Sequence, residues 1–95
     1  MAKEGIAVAV GAKTVAAAGT PEALTTREIE CSAVVIAAET TNTGVIYIVD
    51  ETTDGNNFPT DGLAAGETIT LPVTDPRKIR IDASVSTDGV SWLAA

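Results

Sequence analysis

Short runs of β-branched and apolar residues, each closed after a few positions by Gly, Asn, Asp or Pro, leave this chain little room for a long helix. Residues 29–38, 45–49, 68–73 and 79–85 all read as strands. In the last of these, Ile79, Ile81, Ala83 and Val85 alternate with Lys78, Arg80, Asp82 and Ser84, which predicts a half-buried strand. Val45-Ile46-Tyr47-Ile48-Val49 is β-branched and aromatic, the composition that fits a pleated surface. In 68–73, Ile69, Leu71 and Val73 point one way. Pro72, on the other face, lacks an amide proton and predicts an edge or a strand end. In 29–38, Cys31, Ala33, Val35 and Ala37 share one face and Ser32, Val34, Ile36 and Ala38 the other. Both faces are fairly apolar, which predicts burial on two sides or a contact with another protein.

The remaining segments are shorter or more polar. Ile6, Val8 and Val10 alternate with Ala7 and Ala9, so residues 1–10 read as an N-terminal arm or edge strand ahead of a single domain over 11–95. Residues 12–18 read as extended, and 21–25 as a strand or edge segment. Residues 39–44 form a loop in which Asn42 and Gly44 tolerate left-handed backbone, and 50–62 a long polar loop. Residues 63–67 read as a tight turn, and Thr74-Asp75-Pro76 turns the chain again. Ser86-Thr87-Asp88-Gly89 reads as a hairpin turn whose Asp-Gly pair supplies positive φ, with 90–94 pairing back as the last strand. The economical arrangement is all-β, an antiparallel sandwich or barrel, jelly-roll-like, of about six to eight short strands.

The chain has 95 residues, enough for one domain and one core. Hydrophobic residues make up 45% but aromatics only 3%, so the core must be built from Val, Ile, Leu and Ala. Alanine buries little area, and stabilisation follows buried area. A thin core of this kind predicts reliance on a partner or on copies of the same chain. Thirteen acidic residues against six basic ones give a net charge of −7, which opposes binding to nucleic acid or to an anionic membrane and favours solubility. No apolar run approaches the length of a membrane span, and Gly11, Lys13 and Thr14 interrupt the N-terminal run too soon for a signal peptide.

Reactive residues are sparse. There is no histidine, and the single cysteine, Cys31, lies in an apolar run where it reads as a small core residue. The oxygen-rich stretch 50–57 could wrap a calcium ion, but its spacing does not match an EF-hand loop and turn chemistry alone accounts for it. Arg77, Lys78 and Arg80 form the basic cluster, read as a solvated face or as a salt-bridging patch for an acidic neighbour. Trp92, the single tryptophan, reads as a core plug in preference to an interface anchor. Tyr47 and Phe58 complete the aromatics, too few for a sugar-binding platform. No catalytic, cofactor-binding or metal-ligating residues are assigned, and the expectation is a protein that is not an enzyme.

Several segments taken in order resemble small virion proteins of tailed bacteriophages. They are Thr20-Pro21-Glu22-Ala23-Leu24, Cys31-Ser32-Ala33-Val34-Val35-Ile36-Ala37-Ala38 and Asn42-Thr43-Gly44-Val45-Ile46-Tyr47-Ile48. Gly62-Leu63-Ala64-Ala65-Gly66-Glu67-Thr68-Ile69-Thr70-Leu71, Asp75-Pro76-Arg77-Lys78-Ile79-Arg80-Ile81-Asp82-Ala83 and Gly89-Val90-Ser91-Trp92 continue the series. Among such proteins the chain resembles head decoration, or cement, proteins. The resemblance implies an all-β homo-oligomer, a trimer, made in the host cytoplasm. It would sit on the capsid exterior of the virion, bind the major capsid protein and reinforce the shell. The residues expected to touch neighbours are 2–10 and 50–62. The chain departs from the family pattern at Val49-Asp50-Glu51, where Gly is common, which implies a loop shaped for a different neighbour. Two other readings stay open: a tail, neck or fibre component, and a non-catalytic surface or carbohydrate-binding β-sandwich module.

Overall fold

A computed structural model describes residues 8–49 and 57–95. The strands are β1 (Ala9–Thr14), β2 (Glu22–Ala23), β3 (Val34–Ala38), β4 (Ile46–Val49), β5 (Asn57–Leu63), β6 (Thr68–Leu71), β7 (Arg80–Ala83) and β8 (Gly89–Ala94), with one 3-10 turn at Pro76–Lys78. They form two four-stranded antiparallel sheets, in the orders β1-β8-β3-β6 and β2-β7-β4-β5. The all-β sandwich expected from the sequence is what the chain builds.

The core lies between the sheets. From the first sheet it takes Val34, Ile36, Ala38, Val90, Trp92 and Ala94, and from the second Ile46, Leu63, Ile81 and Ala83, with Val15, Leu24, Cys31 and Ile79 filling the ends. Trp92 is 4% exposed and is the core plug that the sequence suggests. Cys31 is also a core residue, and its thiol donates to the Val73 carbonyl at 3.3 Å. It does not share the face of Val35 and Ala37, however. The chain bends at Ser32, so Cys31 turns inward with Val34 and regular strand begins only at Val34.

Two further expectations are corrected. Residues 57–62, read as the end of a polar loop, belong to β5, which pairs with β4 through a register shift between Ile46 and Ile48. Its residues, including Pro59, Asp61 and Gly62, carry no period-2 signal because β5 is an irregular edge strand. Gly62 has φ +82°, and a Cβ there would run into the Val45 side chain. Residues 50–56 of that loop lie outside the described residues.

The segment 86–89 is not a hairpin, because β7 and β8 belong to different sheets and the chain crosses between them. Positive φ falls on Thr87, at 75°. Asp88 is drawn away from hairpin geometry by the preceding loop: its carboxylate accepts the amides of Thr43 (3.1 Å) and Gly44 (2.7 Å). Gly89 exchanges two hydrogen bonds with the Asn42 side-chain amide, both 2.9 Å. A Cβ on Gly89 would lie 2.6 Å from the Lys13 carbonyl oxygen, so glycine is needed there for the close approach of β1.

Candidate docking face

The outer face of the β1-β8-β3-β6 sheet follows directly from its register. Val10 pairs with Leu93, Leu93 with Val35, and Val35 with Thr70. The next outward row is Ala12, Ser91, Ala37 and Thr68. Neither row holds a charge. Val10 is 61% exposed, Leu93 36% and neighbouring Val8 57%. The bulkier row stands as a ridge beside the row of small residues. Together they enclose a shallow apolar depression of about 540 Å³, lined by Val10, Gly11, Ala12, Val35, Ala37, Ser91, Trp92 and Leu93.

The absence of charge here is arranged locally. Lys13 is the charged residue of β1, and alternation turns it inward, where its ammonium meets Glu22 of β2 at 2.8 Å across the open side of the sandwich. That hydrogen bond, with a smaller contribution from the Ala16 amide, holds the Glu22 carboxyl below the usual carboxylate range. Arg27 folds over the same side. Its guanidinium donates to the Val10 carbonyl at 2.9 Å and stacks 5.5 Å from the centre of the Trp92 ring. Both cations are thus held at the edge of the sandwich and off the face. The other sheet is different: its outward positions include Tyr47, Arg80 and Asp82, and Asp82 accepts the Gly19 amide at 3.0 Å.

The remaining sequence candidates are dispersed. Arg77 is committed to Asp75, with contacts of 3.1, 3.2 and 2.8 Å, and this holds the Asp75 carboxyl below its ordinary range. Arg77 is therefore spent within the chain, while Lys78 and Arg80 also have partners. Among the described residues no group of three or more His, Cys, Asp or Glu side chains gathers to hold a metal. Most of the oxygen-rich stretch 50–57 lies outside them. Phe58 is 60% exposed on β5, away from the uncharged face. Of the contact segments expected from the sequence, 2–7 and 50–56 lie outside the described residues, while Val8 and Val10 lie on this face; Val35 and Ala37 come from the two-faced apolar run 29–38, and Leu93 carries no contact signal in the sequence. The available signal was the two-sided apolar character of 29–38.

Compared with protein-family models, with curated proteins and with solved structures, the chain matches none.

Proposed function

We propose that this protein is a non-catalytic capsid decoration (cement) protein of a tailed bacteriophage, docking on the major capsid shell through the outer face of the β1-β8-β3-β6 sheet. The observation that carries the docking part is an uncharged aliphatic sheet face on a chain of net charge −7. A sheet face normally carries polar residues where it meets water, and an apolar patch rimmed by polar residues marks a protein contact. The capsid part rests on the ordered resemblance of residues 19–93 to decoration proteins.

The physics is compatible with such a role. A small face gives a weak contact, but a shell offers many equivalent sites. Reinforcement of the shell then needs only a modest gain at each one. The acidic remainder of the surface disfavours the packaged genome as a partner. A carbohydrate-binding module is less well supported, because the face is aliphatic and the tryptophan is in the core.

Co-sedimentation with undecorated shells tests the proposal, together with particle survival on heating. Wild-type protein is expected to sediment with shells and raise their rupture temperature. Wild-type protein that stays in the supernatant, or that leaves the rupture temperature unchanged, overturns it.

A further inference from the structure

We propose that β6 is a self-pairing edge. Two copies of the chain join β6 to β6, antiparallel, about a two-fold axis through Ile69, so that two four-stranded sheets become one continuous sheet. This goes beyond shell docking and does not depend on it.

Among the described residues the two sheets have four edges, β1, β6, β2 and β5. An exposed edge is a template for another strand, and proteins blunt it with charge, proline, bulges or brevity. β1 is blunted by the inward-turned Lys13 and by Arg27, which occupies the Val10 carbonyl. β2 has only two residues. β5 carries Pro59, a left-handed Gly62 and a register shift. β6, Thr68-Ile69-Thr70-Leu71, has no charge, proline, glycine or bulge.

The direction of its backbone groups is fixed by β3. Ala33 exchanges hydrogen bonds with Ala95, and the Glu39 amide donates to Gly89, so the odd-numbered residues of β3 serve β8. Ala38 bonds to Gly66 and Glu67, so the even-numbered residues serve β6. Ile69 and Leu71, the register partners of Ile36 and Val34, therefore aim their N–H and C=O groups at β3. Thr68 and Thr70 aim theirs at the open edge. Among the described residues, no turn, loop or side-chain hydrogen bond reaches them.

A two-fold axis through Ile69 satisfies both threonines. Thr68 of each copy lies opposite Thr70 of the other, and each pair exchanges both backbone bonds. Threonine pairs of this kind also favour cross-strand packing. Pro72, with no N–H, ends the pairing. Glu67 lies opposite Leu71 of the second copy, so no like charges face each other, and its carboxylate already accepts the Ala64 amide at 2.8 Å. Half-buried Ile69 gains its symmetry mate as a cover. The operation closes on itself and yields a dimer rather than a filament, in place of the three-fold ring that the resemblance implies.

The contact is smaller than a standard stable interface, so it should be weak and concentration-dependent. Sedimentation velocity and amide hydrogen exchange at about 20 μM and about 1 mM bracket the affinity expected of so small an interface. Wild type is expected to shift from monomer to dimer. The Thr68 and Thr70 amides should exchange at least about twofold more slowly at the higher concentration, while those of Ile69 and Leu71 stay protected throughout. Thr70→Pro removes an outward N–H, and a T68K/T70K pair places like charges opposite each other without touching the backbone. Both variants are expected to remain monomeric with unchanged exchange in β3. A wild type that is monomeric at both concentrations, a trimer, concentration-independent exchange at Thr68 and Thr70, or a dimer that survives in T68K/T70K would overturn the proposal.

Discussion

Gly11→Ala is the substitution whose cost the structure specifies most closely. Gly11 sits in β1 directly opposite Trp92, and its backbone does not occupy the left-handed region, so the chain itself accepts alanine there. The obstacle is the indole. A Cβ at this position would lie 2.6 Å from Trp92 Cζ2, 2.7 Å from Cε2 and 2.9 Å from Nε1. Carbon–carbon contact is comfortable at about 3.5–4.0 Å, so the ring must retreat by roughly 1 Å. It has little freedom to do so, since Trp92 is 4% exposed and lies beneath Arg27. Overpacking a core in this way costs about 1–3 kcal/mol, from which about 0.4–1 kcal/mol is recovered because alanine restricts the unfolded chain. The expected net loss is about 1 kcal/mol, or about 4–8 °C in Tm for a domain of this size. A double-mutant cycle with Trp92→Phe isolates the cause, because phenylalanine lacks the atoms that crowd the new methyl group. The indole Nε1 is buried without a hydrogen-bond partner among the described residues, so its removal breaks no bond there. In the W92F background G11A should be neutral or stabilising. Stability is best followed by circular dichroism, since W92F loses the fluorophore. An equal loss from G11A in both backgrounds would refute the steric argument.

Leu93→Lys, at a 36%-exposed outward position, should abolish shell co-sedimentation while changing the denaturation midpoint by no more than about 0.5 kcal/mol equivalent; retained binding would remove the face from consideration. Asp88→Asn replaces a buried carboxylate that accepts two amides with a group that must turn an NH2 toward one of them, so urea denaturation should show a loss of about 1–3 kcal/mol. Glu22 has its pKa lowered in the folded state, chiefly by Lys13, so its contribution is fully present above the unfolded value of about 4.3 and is lost as pH falls through the lower folded value. Lys13→Ala should therefore flatten part of the acid-side fall in unfolding free energy, followed by urea denaturation across pH, by about 0.5 kcal/mol or less for a partly exposed pair.

How much of this was readable from the residues depends on how local each cause is. The alternation of Ile79, Ile81 and Ala83 marked the inward face of β7, although the strand ends at Ala83 and Val85, placed inward by the same pattern, is 40% exposed; Pro72 marked the end of β6 because a missing amide is a property of one residue. Thr87-Asp88-Gly89 misled because its meaning is tertiary. The same Asp-Gly pair that closes hairpins here bonds to Asn42, Thr43 and Gly44, more than forty residues away in sequence. β5 escaped notice for a related reason: its residues are held in a sheet by β4 and not by their own propensities. The docking face was half visible. Two-sided apolarity in 29–38 implied that one side faced something other than the core. Which side, and that Leu93 stands between Val10 and Val35 there, required the register.

The pairing of β1 with β8 has a consequence for how the molecule is made. The first described strand has its sheet partner in the last, and β8 is an interior strand lying between β1 and β3. During synthesis β1 leaves the ribosome before the other described strands and must wait, unpaired within its sheet, until β8 emerges. The β4–β5 hairpin and the β3–β6 pair have no such delay. Closure then depends on contacts of the greatest sequence separation, which form slowly because the loop they close must be ordered first. Loss of β8 would separate β1 from the rest of its sheet and uncover Val34 and Ile36 together. A chain terminated before β8 could neither bury its interior nor assemble the outer rows that β8 joins.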